Sequence, residues 1–272
     1  MGNHNKQTER VAIVTGGTRG IGLGISKALA ENGIKLLLVY QKDGVAAQQA
    51  ETELNGLGAE VVMMQADVGL KTEAERVAAF AGERWQRIDL LVNNAAIFDF
   101  IFIEEMSEAF FDKTYQTNLK SMLFMIQAVL PFMKLHHFGR IVNASSISGK
   151  MADVGLCAYA CAKAGVDMLT RIAAAEFAPY GITVNAYAPG IITTDMTRPM
   201  IEQRGHLQIN QIPARRFGDP EDVAGLVNFL CSQEASYITG EIIGVDGGML
   251  KVQNPIRAYE YVEQARQKSE GA

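Results

Sequence analysis

The sequence predicts an α/β fold: a doubly wound parallel sheet of about seven strands with helices on both faces. Short, continuous apolar runs recur along the chain, as in strands that are buried on both faces. Segments with helical apolar spacing separate these runs, so each strand is followed by a crossover helix. The length of 272 residues, with 48% hydrophobic and 20% charged residues, suits one domain with a substantial core.

The elements follow one another in a regular order. The predicted strands are residues 11–15, 34–40, 61–65, 90–93, 141–144, 183–187 and 242–245. The predicted helices are residues 23–32, 45–57, 73–85, 108–133, 158–177 and 220–233. Asp219 suits the cap of the last helix, because Pro220 is favoured at a first helical position.

Charge and composition exclude several function classes. The formal net charge of -5 argues against general binding to nucleic acid or to a membrane surface. No run approaches the roughly 20 apolar residues of a membrane-spanning helix, and residues 1–10 are polar, unlike a signal peptide. The three cysteines lack zinc-site spacing, so we expect free thiols in a reducing cytoplasm and no metal.

A glycine-rich turn follows the first strand, at residues 15–22 (TGGTRGIG). Gly16, Gly20 and Gly22 allow a tight turn and a close approach of the backbone to a pyrophosphate. The positive end of the following helix favours such an anion. The turn therefore predicts a dinucleotide site at the carboxyl ends of the strands, where the strand order reverses.

A second motif places a tyrosine and a lysine on one helix face. Tyr159 and Lys163 are four residues apart within the helix predicted at residues 158–177. A free phenol has a pKa of about 10, and a nearby ammonium group lowers it by favouring the phenolate. The pair therefore predicts a group that transfers a proton near neutral pH.

Further motifs appear in order along the chain. Residues 93–96 (NNAA) follow the fourth strand, Ser146 follows the fifth, and Pro189 and Gly190 follow the sixth. Together with the two motifs above, this set resembles the short-chain dehydrogenase/reductase family, and most of all its bacterial 3-oxoacyl-(acyl-carrier-protein) reductases and their polyketide and sugar-dehydrogenase relatives.

The resemblance implies a domain organisation. It predicts a single-domain Rossmann fold whose NAD(P)-binding catalytic domain covers residues 11–249. A polar tail precedes this domain at residues 1–10, and an extension follows it at residues 250–272. By resemblance, residues 197–211 form a variable lid over the substrate.

The resemblance also implies catalytic roles for a reversible hydride transfer between nicotinamide and a carbonyl carbon. Ser146 would polarise the carbonyl, and the family's spacing selects it over Ser145. Tyr159 would transfer the proton, and Lys163 would lower the tyrosine pKa and bind the nicotinamide ribose. Asn118 would help to hold a water molecule of the proton relay.

The predicted cofactor-binding residues are Gly16, Thr18, Arg19, Gly20, Ile21, Gly22, Tyr40, Lys42, Asp67, Val68, Asn94, Ala95, Ala96, Tyr159, Lys163, Pro189, Gly190, Ile192 and Thr194. By resemblance, Asp67 contacts the adenine ring, and Ile192 and Thr194 contact the nicotinamide end. Asp67 also suits a turn or helix cap, which is compatible with that role. Ala96 replaces the family's glycine, a costly change only if the position needs a positive φ.

The end of the second strand bears on the choice of cofactor. NAD enzymes of this fold often place a carboxylate there to bind the ribose 2′-hydroxyl, but this chain has Tyr40, Gln41 and Lys42, and Asp43 comes later. Arg19 and Lys42 suit charge-assisted hydrogen bonds with a 2′-phosphate. We therefore predict that NADP(H) is preferred over NAD(H).

Three functions are open for the substrate. The first is reduction of a 3-oxoacyl or polyketide thioester on an acyl carrier protein. The second is a dehydrogenase of a free sugar, steroid or small alcohol, and the third is a catalytically silent regulator that binds nucleotide. Related reductases often have arginines near the positions of His137 and Tyr180. This chain has no arginine at either position, which weakens the case for docking of a carrier protein here. The candidate cations for compensating are Lys134, Arg140, Arg171, Arg215 and Arg216.

Two further expectations concern assembly. By resemblance the protein is a homotetramer built on the helices at residues 108–133 and 158–177. Asn254 and Pro255 suit a helix start in the extension, and Ile256, Tyr259 and Val262 would then share a face. This segment is either a frayed tail or a helix that packs on a neighbouring subunit or borders the substrate mouth.

Overall fold

The structure, a computed structural model, describes residues 10–270 and contains one seven-stranded parallel sheet. Its strands are β1 Val11–Thr15, β2 Lys35–Tyr40, β3 Val61–Gln65, β4 Leu90–Asn93, β5 Gly139–Ala144, β6 Ile182–Pro189 and β7 Ile242–Val245. The strand order is β3-β2-β1-β4-β5-β6-β7, and all pairs are parallel. The predicted doubly wound sheet is confirmed, with its switch point between β1 and β4.

Helices separate the strands. They are α1 Gly20–Glu31, α2 Gly44–Gly56, α3 Lys71–Trp85, α4 Glu108–Tyr115, α5 Ser121–His136, α6 Cys157–Phe177, α7 Arg198–Gln208, α8 Pro220–Leu230 and α9 Ile256–Glu270. Helix α8 begins at Pro220 as predicted, and the Asp219 N–H donates to the Asp222 carboxylate over 2.8 Å. Within the described part of the chain, no helix combines the length and apolarity that a membrane span requires.

Each face of the sheet has its own hydrophobic core. Val14 of β1 belongs to one core together with Ile25 of α1 and Val227 of α8. Its neighbour Ile13 belongs to the other core, which includes Val129 of α5. These side chains are fully buried, and each such burial is worth about 1.5–3 kcal/mol. Successive strand residues point to opposite faces, which explains why the strands lack a polar alternation.

The helix predicted over residues 108–133 is confirmed, since all of these residues are helical, but it is not a continuous α-helix. A π turn, Gln116–Lys120, interrupts it between α4 and α5. The cause lies in Asn118, whose side-chain oxygen accepts from the Ile97 N–H and whose amide donates to the Ile97 carbonyl, each over 2.8 Å. These bonds attach the helix to the loop after β4. A π turn of this kind is frequent at functional sites.

The lid and the extension are both ordered as helices. Helix α7 and the 3₁₀ turn Ile209–Gln211 occupy the predicted lid residues. Helix α9 begins directly after Pro255, and its Tyr259 hydroxyl donates to the Pro213 carbonyl over 2.6 Å. Most of α9 is otherwise exposed. The predicted tail lies outside the described residues except for Arg10, and the domain boundaries stay a prediction.

Candidate active site

A cleft of about 610 Å³ opens at the carboxyl ends of the strands. The turn after β1, the ends of β2 and β4, and one face of α6 form its walls. This is the switch point of the sheet, where a doubly wound fold places its ligand.

The glycine turn lets the protein backbone come close to a ligand, where side chains would block the approach. Gly16 and Gly20 have φ values of 64° and 50°, which favour glycine. A Cβ on Gly22 would lie 2.0 Å from the Gly16 carbonyl oxygen. Helix α1 starts here, and its N-cap residue Arg19 makes no side-chain capping bond. The first N–H groups of α1 are therefore available to a pyrophosphate, so the cleft fits a dinucleotide.

Asn94 holds the glycine turn in place. Its side-chain amide donates to the carbonyls of Thr15 and Gly16 over 3.1 and 3.0 Å. Its side-chain oxygen accepts from the hydroxyl of Tyr187 over 2.8 Å. The Thr15 hydroxyl in turn accepts from the N–H groups of Asn94 and Ala95. These bonds connect β1, β4 and β6 beneath the cleft.

Sequence reasoning missed Tyr187. It lies in β6, a strand whose other residues are interpreted from the sequence as part of the core, and it is fully buried. Burial raises its pKa, so the phenol stays protonated and acts as a hydrogen-bond donor. The available signal was the residue type itself, because a buried tyrosine hydroxyl usually has a hydrogen-bond partner.

Lys163 is 1% exposed, and its ammonium nitrogen donates to the Ala144 carbonyl over 2.6 Å. Desolvation lowers its pKa to about 7, against a smaller opposite effect of Asp167. The nitrogen lies 5.5 Å from the centroid of the Tyr159 ring. The sequence prediction placed these two side chains together, and the structure does the same.

The predicted lowering of the tyrosine pKa is not found within the chain. Tyr159 is half-buried, and desolvation raises its pKa. A hydrogen bond with Ser146 lowers that pKa by a smaller amount. The reason is that burial disfavours the charged form of both Tyr159 and Lys163, so the lysine is a weak source of positive charge. The phenol is accordingly a protonated acid at neutral pH.

The two adjacent serines have different environments. The Ser145 hydroxyl donates to the buried carboxylate of Asp167. The Ser146 hydroxyl accepts from the Ser148 N–H over 3.1 Å, and it lies close enough to Tyr159 to lower the pKa of that phenol. Ser146 is therefore the serine that acts on the pKa of Tyr159, while Ser145 lines the cleft with its hydroxyl engaged by Asp167.

Asn118 has a structural role that the sequence did not show. Both polar ends of its side chain are bonded to the main chain of Ile97, which lines the cleft. Its side chain is buried and fully engaged. The relay water stays a prediction, and its partners would be main-chain carbonyls or the Lys163 ammonium group.

At the far end of the cleft, Asp43 is already engaged by the protein. One carboxylate oxygen accepts from the Ala46 N–H over 3.0 Å, and the other lies 3.4 Å from the Arg19 guanidinium. Tyr40 and Lys42 line the same end of the cleft. Asp43 is thus the cap of α2, and it forms an ion pair with Arg19.

The other predicted cofactor-binding residues form two groups, according to whether they line the cleft. All of them line the cleft except Gly190 and Ile192. Ile192 is 3% exposed and packs against Gly218, where a Cβ would lie 2.5 Å from its Cδ1. The substitution at Ala96 carries no backbone cost, because its φ is not positive. The contacts of all these residues with a cofactor stay predictions.

Asp67 is placed for both roles that the sequence suggested, a turn carboxylate and a contact with the cofactor. One oxygen accepts from the Gly69 N–H over 3.0 Å, as expected of a turn carboxylate, and the residue also lines the cleft. The Lys113 ammonium group lies 3.5 Å from the other oxygen. Across residues 10–270, no group of three or more His, Cys, Asp or Glu residues is gathered to hold a metal ion.

Two phenylalanines stand beside Tyr159, and sequence reasoning missed them. The Phe98 ring makes an edge contact with the Tyr159 ring, with centroids 5.5 Å apart at 72°. The Phe100 ring makes a similar contact with Phe98, over 5.1 Å at 70°. A loop without periodicity gave no reason to place these rings at the site.

Comparisons with known proteins agree with this geometry. The family model described as Enoyl-(Acyl carrier protein) reductase matches residues 16–250. The chain is 40% identical over 238 residues to the 3-oxoacyl-[acyl-carrier-protein] reductase FabG of Staphylococcus epidermidis, covering 88% of this chain and 98% of that one. The FabG protein of Vibrio cholerae is 39% identical over 245 residues, covering 89% and 98%.

A solved structure is also similar. The crystal structure of gox2181 superposes with a TM-score of 0.86 at 36% sequence identity, covering 89% of this chain and 96% of that one. The family match therefore extends from the glycine turn after β1 to the start of the C-terminal extension.

Proposed function

The chain belongs to the short-chain dehydrogenase/reductase family and is an NAD(P)-dependent oxidoreductase, and we propose that it reduces the ketone of a 3-oxoacyl thioester to a secondary alcohol with NADPH. One observation carries the proposal: Tyr159 and Lys163 lie together in a cleft that fits a dinucleotide, and Ser146 lies beside Tyr159. A ketone placed there would contact a hydrogen-bond donor and a proton donor together.

Each side chain has a defined task in the proposed reaction. Bound NADPH supplies the hydride. The Ser146 hydroxyl donates a hydrogen bond to the ketone oxygen and stabilises the negative charge that develops on it. Tyr159, whose pKa is raised by burial, is protonated at neutral pH and gives its proton to that oxygen.

Lys163 is suited to restore the proton. Its pKa of about 7 allows it to gain and lose a proton near neutral pH, and its nitrogen lies beside the Tyr159 ring. The hydrogen bond to the Ala144 carbonyl fixes its position. We propose that it also binds the nicotinamide ribose, as the resemblance implies.

The proposed preference for NADPH rests on the charges at the end of β2. Arg19 and Lys42 line the cleft there, and both are exposed enough to meet a 2′-phosphate. Asp43, the acid that would bind a ribose 2′-hydroxyl, has both oxygens engaged by Ala46 and Arg19. A phosphate would replace Asp43 as the partner of the Arg19 guanidinium.

The names of the relatives support a thioester that is attached to an acyl carrier protein. The cations that could compensate for the missing arginines give less support to the docking of a carrier protein. Arg140 is 2% exposed, so it does not form part of a docking surface. Arg216 is bonded to Asp222, and Lys134 lies over the Tyr180 ring. The thioester is therefore better supported than the docking of its carrier.

We also propose a cytoplasmic homotetramer. Leu123 of α5 and Met168 and Ile172 of α6 are large, exposed apolar side chains on the two helices that the resemblance assigns to the subunit contacts. The three described cysteines are free thiols, as in a reducing compartment. Light scattering coupled to size-exclusion chromatography measures the assembly directly: we expect a mass of four chains, and a monomer contradicts the proposal.

The function is tested by following NADPH oxidation with an acetoacetyl thioester, trans-1-decalone and a free keto sugar, with NADH in parallel. We expect turnover of the thioester, a slower rate with NADH, and a 3-hydroxyacyl product by mass spectrometry. Activity only on the sugar would overturn the substrate class. Absence of activity on every carbonyl would support the silent nucleotide-binding alternative.

A further inference from the structure

Two loops form an apolar surface next to the catalytic tyrosine. The first is the loop after β4, which carries Phe98 and Phe100, and the second follows Ser146. They are joined by a hydrogen bond from the Ile101 N–H to the Gly155 carbonyl over 2.8 Å. Phe100 also packs on Gly155, where a Cβ would lie 3.4 Å from its ring. The two loops therefore present one continuous surface.

The exposed part of this surface is large and apolar. Phe100 is 45% exposed, and Val154 on the second loop is 75% exposed. Phe98 is half-buried between Phe100 and Tyr159. Exposed apolar side chains beside a residue that lines a cleft point to a ligand site, since water covers them at a cost.

The charges around this surface exclude one class of ligand. Asp99 follows Phe98 directly, Glu104 lies on the same loop, and Asp153 lies on the second loop; all three are exposed. The cation of the second loop, Lys150, is exposed, but its ammonium group donates to the Ile242 carbonyl over 2.9 Å. A ligand with a carboxylate or phosphate at this place would meet like charge.

We propose that Phe98 and Phe100 bind an uncharged aromatic group that is attached directly to the reacting ketone. A planar ring extends the series of edge contacts that begins at Tyr159, and such aromatic pairs gain more than their buried area alone provides. A sugar would have to place hydroxyl groups against the same apolar rings without hydrogen bonds. This assignment rests on the proposed function, because it takes Tyr159 as the proton donor.

Equilibrium binding tests the proposal separately from turnover. Tyr159→Phe keeps the ring that contacts Phe98 and removes the proton donor. In its complex with NADPH, calorimetry compares ethyl benzoylacetate with ethyl acetoacetate, which differ by a phenyl group in place of a methyl group next to the ketone. We expect the phenyl compound to bind about tenfold more tightly or better.

Added substitutions locate that preference. Phe98→Ala and Phe100→Ala, each in the Tyr159→Phe background, should reduce the affinity ratio to about threefold or less. Phe102→Ala is the matched control, because Phe102 is an exposed phenylalanine of the same loop with no ring contact to Tyr159 or Phe98. It should leave the ratio unchanged.

Equal affinities for the two esters, binding of neither, or a ratio that is insensitive to both phenylalanine substitutions would overturn the proposal. Wild-type turnover of the same two esters is measured beside the binding. If the wild type oxidises no NADPH with either ester while the binding ratio behaves as expected, the reductase function fails and the aromatic site stands.

Discussion

The cofactor half and the substrate half of the cleft are built differently. The cofactor half consists of strand ends and the glycine turn, and its polar side chains are bonded to the main chain or to one another, as Thr15, Asn94 and Tyr187 show. The proposed substrate half consists of loops and α7, the predicted lid, and its apolar side chains Phe100 and Met196 are about half exposed.

The difference shows which contacts hold the side chains of each half of the cleft in place. Buried polar groups that are fully paired fix a single arrangement, so the cofactor half is preorganised. The exposed rings of the substrate half gain their contacts only from a ligand. Substitutions in the first half should therefore affect cofactor affinity or chemistry for every substrate, whereas those in the second should change substrate preference.

The largest effect is expected at the junction of the two halves. Tyr159→Phe removes the proton donor but keeps the ring, so kcat should fall by about 10³-fold or more. NADPH affinity, measured by fluorescence titration, should change by less than about threefold, since a single phenol hydrogen bond is worth about 1 kcal/mol. Tyr115→Phe is the control, because Tyr115 stacks on Phe111 and does not line the cleft. Retained turnover in Tyr159→Phe would remove the tyrosine from the mechanism.

The two serines give the next largest contrast. Ser146→Ala should lower kcat by roughly 10²–10³-fold, because the charge developing on the ketone oxygen loses its donor. Ser145→Ala instead leaves the buried Asp167 without a hydrogen-bond donor, which should cost about 1–3 kcal/mol of stability. Steady-state kinetics and urea unfolding of both variants are compared. The reverse assignment of the two effects would identify Ser145 as the catalytic residue.

Burial of Lys163 should make stability depend on pH. Its pKa is about 7 in the folded protein and near 10.5 when unfolded. Between these values the unfolded chain binds a proton that the folded protein does not, so the free energy of unfolding should rise with pH. From pH 7.5 to 9.5 the lysine should contribute roughly 2 kcal/mol of this rise.

The comparison for this effect is Lys163→Met. Other buried groups, such as Cys231, whose pKa burial raises to about 12, also change stability with pH. They are common to both proteins, so the difference between the two urea-unfolding profiles isolates the lysine. Parallel profiles would show that Lys163 is charged in the folded protein.

Arg19 tests how the cofactor half distinguishes the two nicotinamide cofactors. Arg19→Ala removes the guanidinium proposed to bind the 2′-phosphate, and a hydrogen bond to a charged group is worth about 1.5–3 kcal/mol. The ratio of kcat/KM for NADPH over NADH should fall by about tenfold or more. Lys27→Ala is the control, because Lys27 forms a surface ion pair with Glu53 on the neighbouring helix. A wild-type preference for NADH would contradict the proposed role of Arg19.

The smallest effect is expected at Tyr187. Tyr187→Phe leaves the side-chain oxygen of Asn94 without its donor, and the glycine turn loses part of its support. The KM for NADPH should rise by roughly five- to tenfold with kcat nearly unchanged, as for one lost buried hydrogen bond. Tyr180→Phe, outside the cleft, should change neither constant. A fall in kcat alone would place Tyr187 in the chemistry instead.

The same contrast explains what the sequence could predict. The parallel sheet and the glycine turn were predictable, because buried strands and glycines with positive φ are dictated by local residue types. The pairing of Tyr159 with Lys163 followed from helical spacing. Each of these depends on residues that are close in sequence.

Long-range contacts were not predictable in the same way. The π turn at Asn118 exists because of bonds to Ile97, 21 residues earlier. The bond from Tyr187 to Asn94 spans 93 residues, and the contact of Phe98 with Tyr159 joins a loop to a distant helix. The pKa of Tyr159 was predicted with the wrong direction, since spacing indicates charge proximity but not burial.

The most direct test of hydride transfer at this site uses NADPH that carries deuterium at both C4 positions of the nicotinamide. The protein is incubated with an acetoacetyl thioester in ordinary water, and the 3-hydroxyacyl product is analysed by mass spectrometry. Reduction at the Ser146–Tyr159–Lys163 site predicts one deuterium on C3 of every product molecule, and none in Tyr159→Phe because no product forms. A product without deuterium on C3 would contradict the proposed reaction.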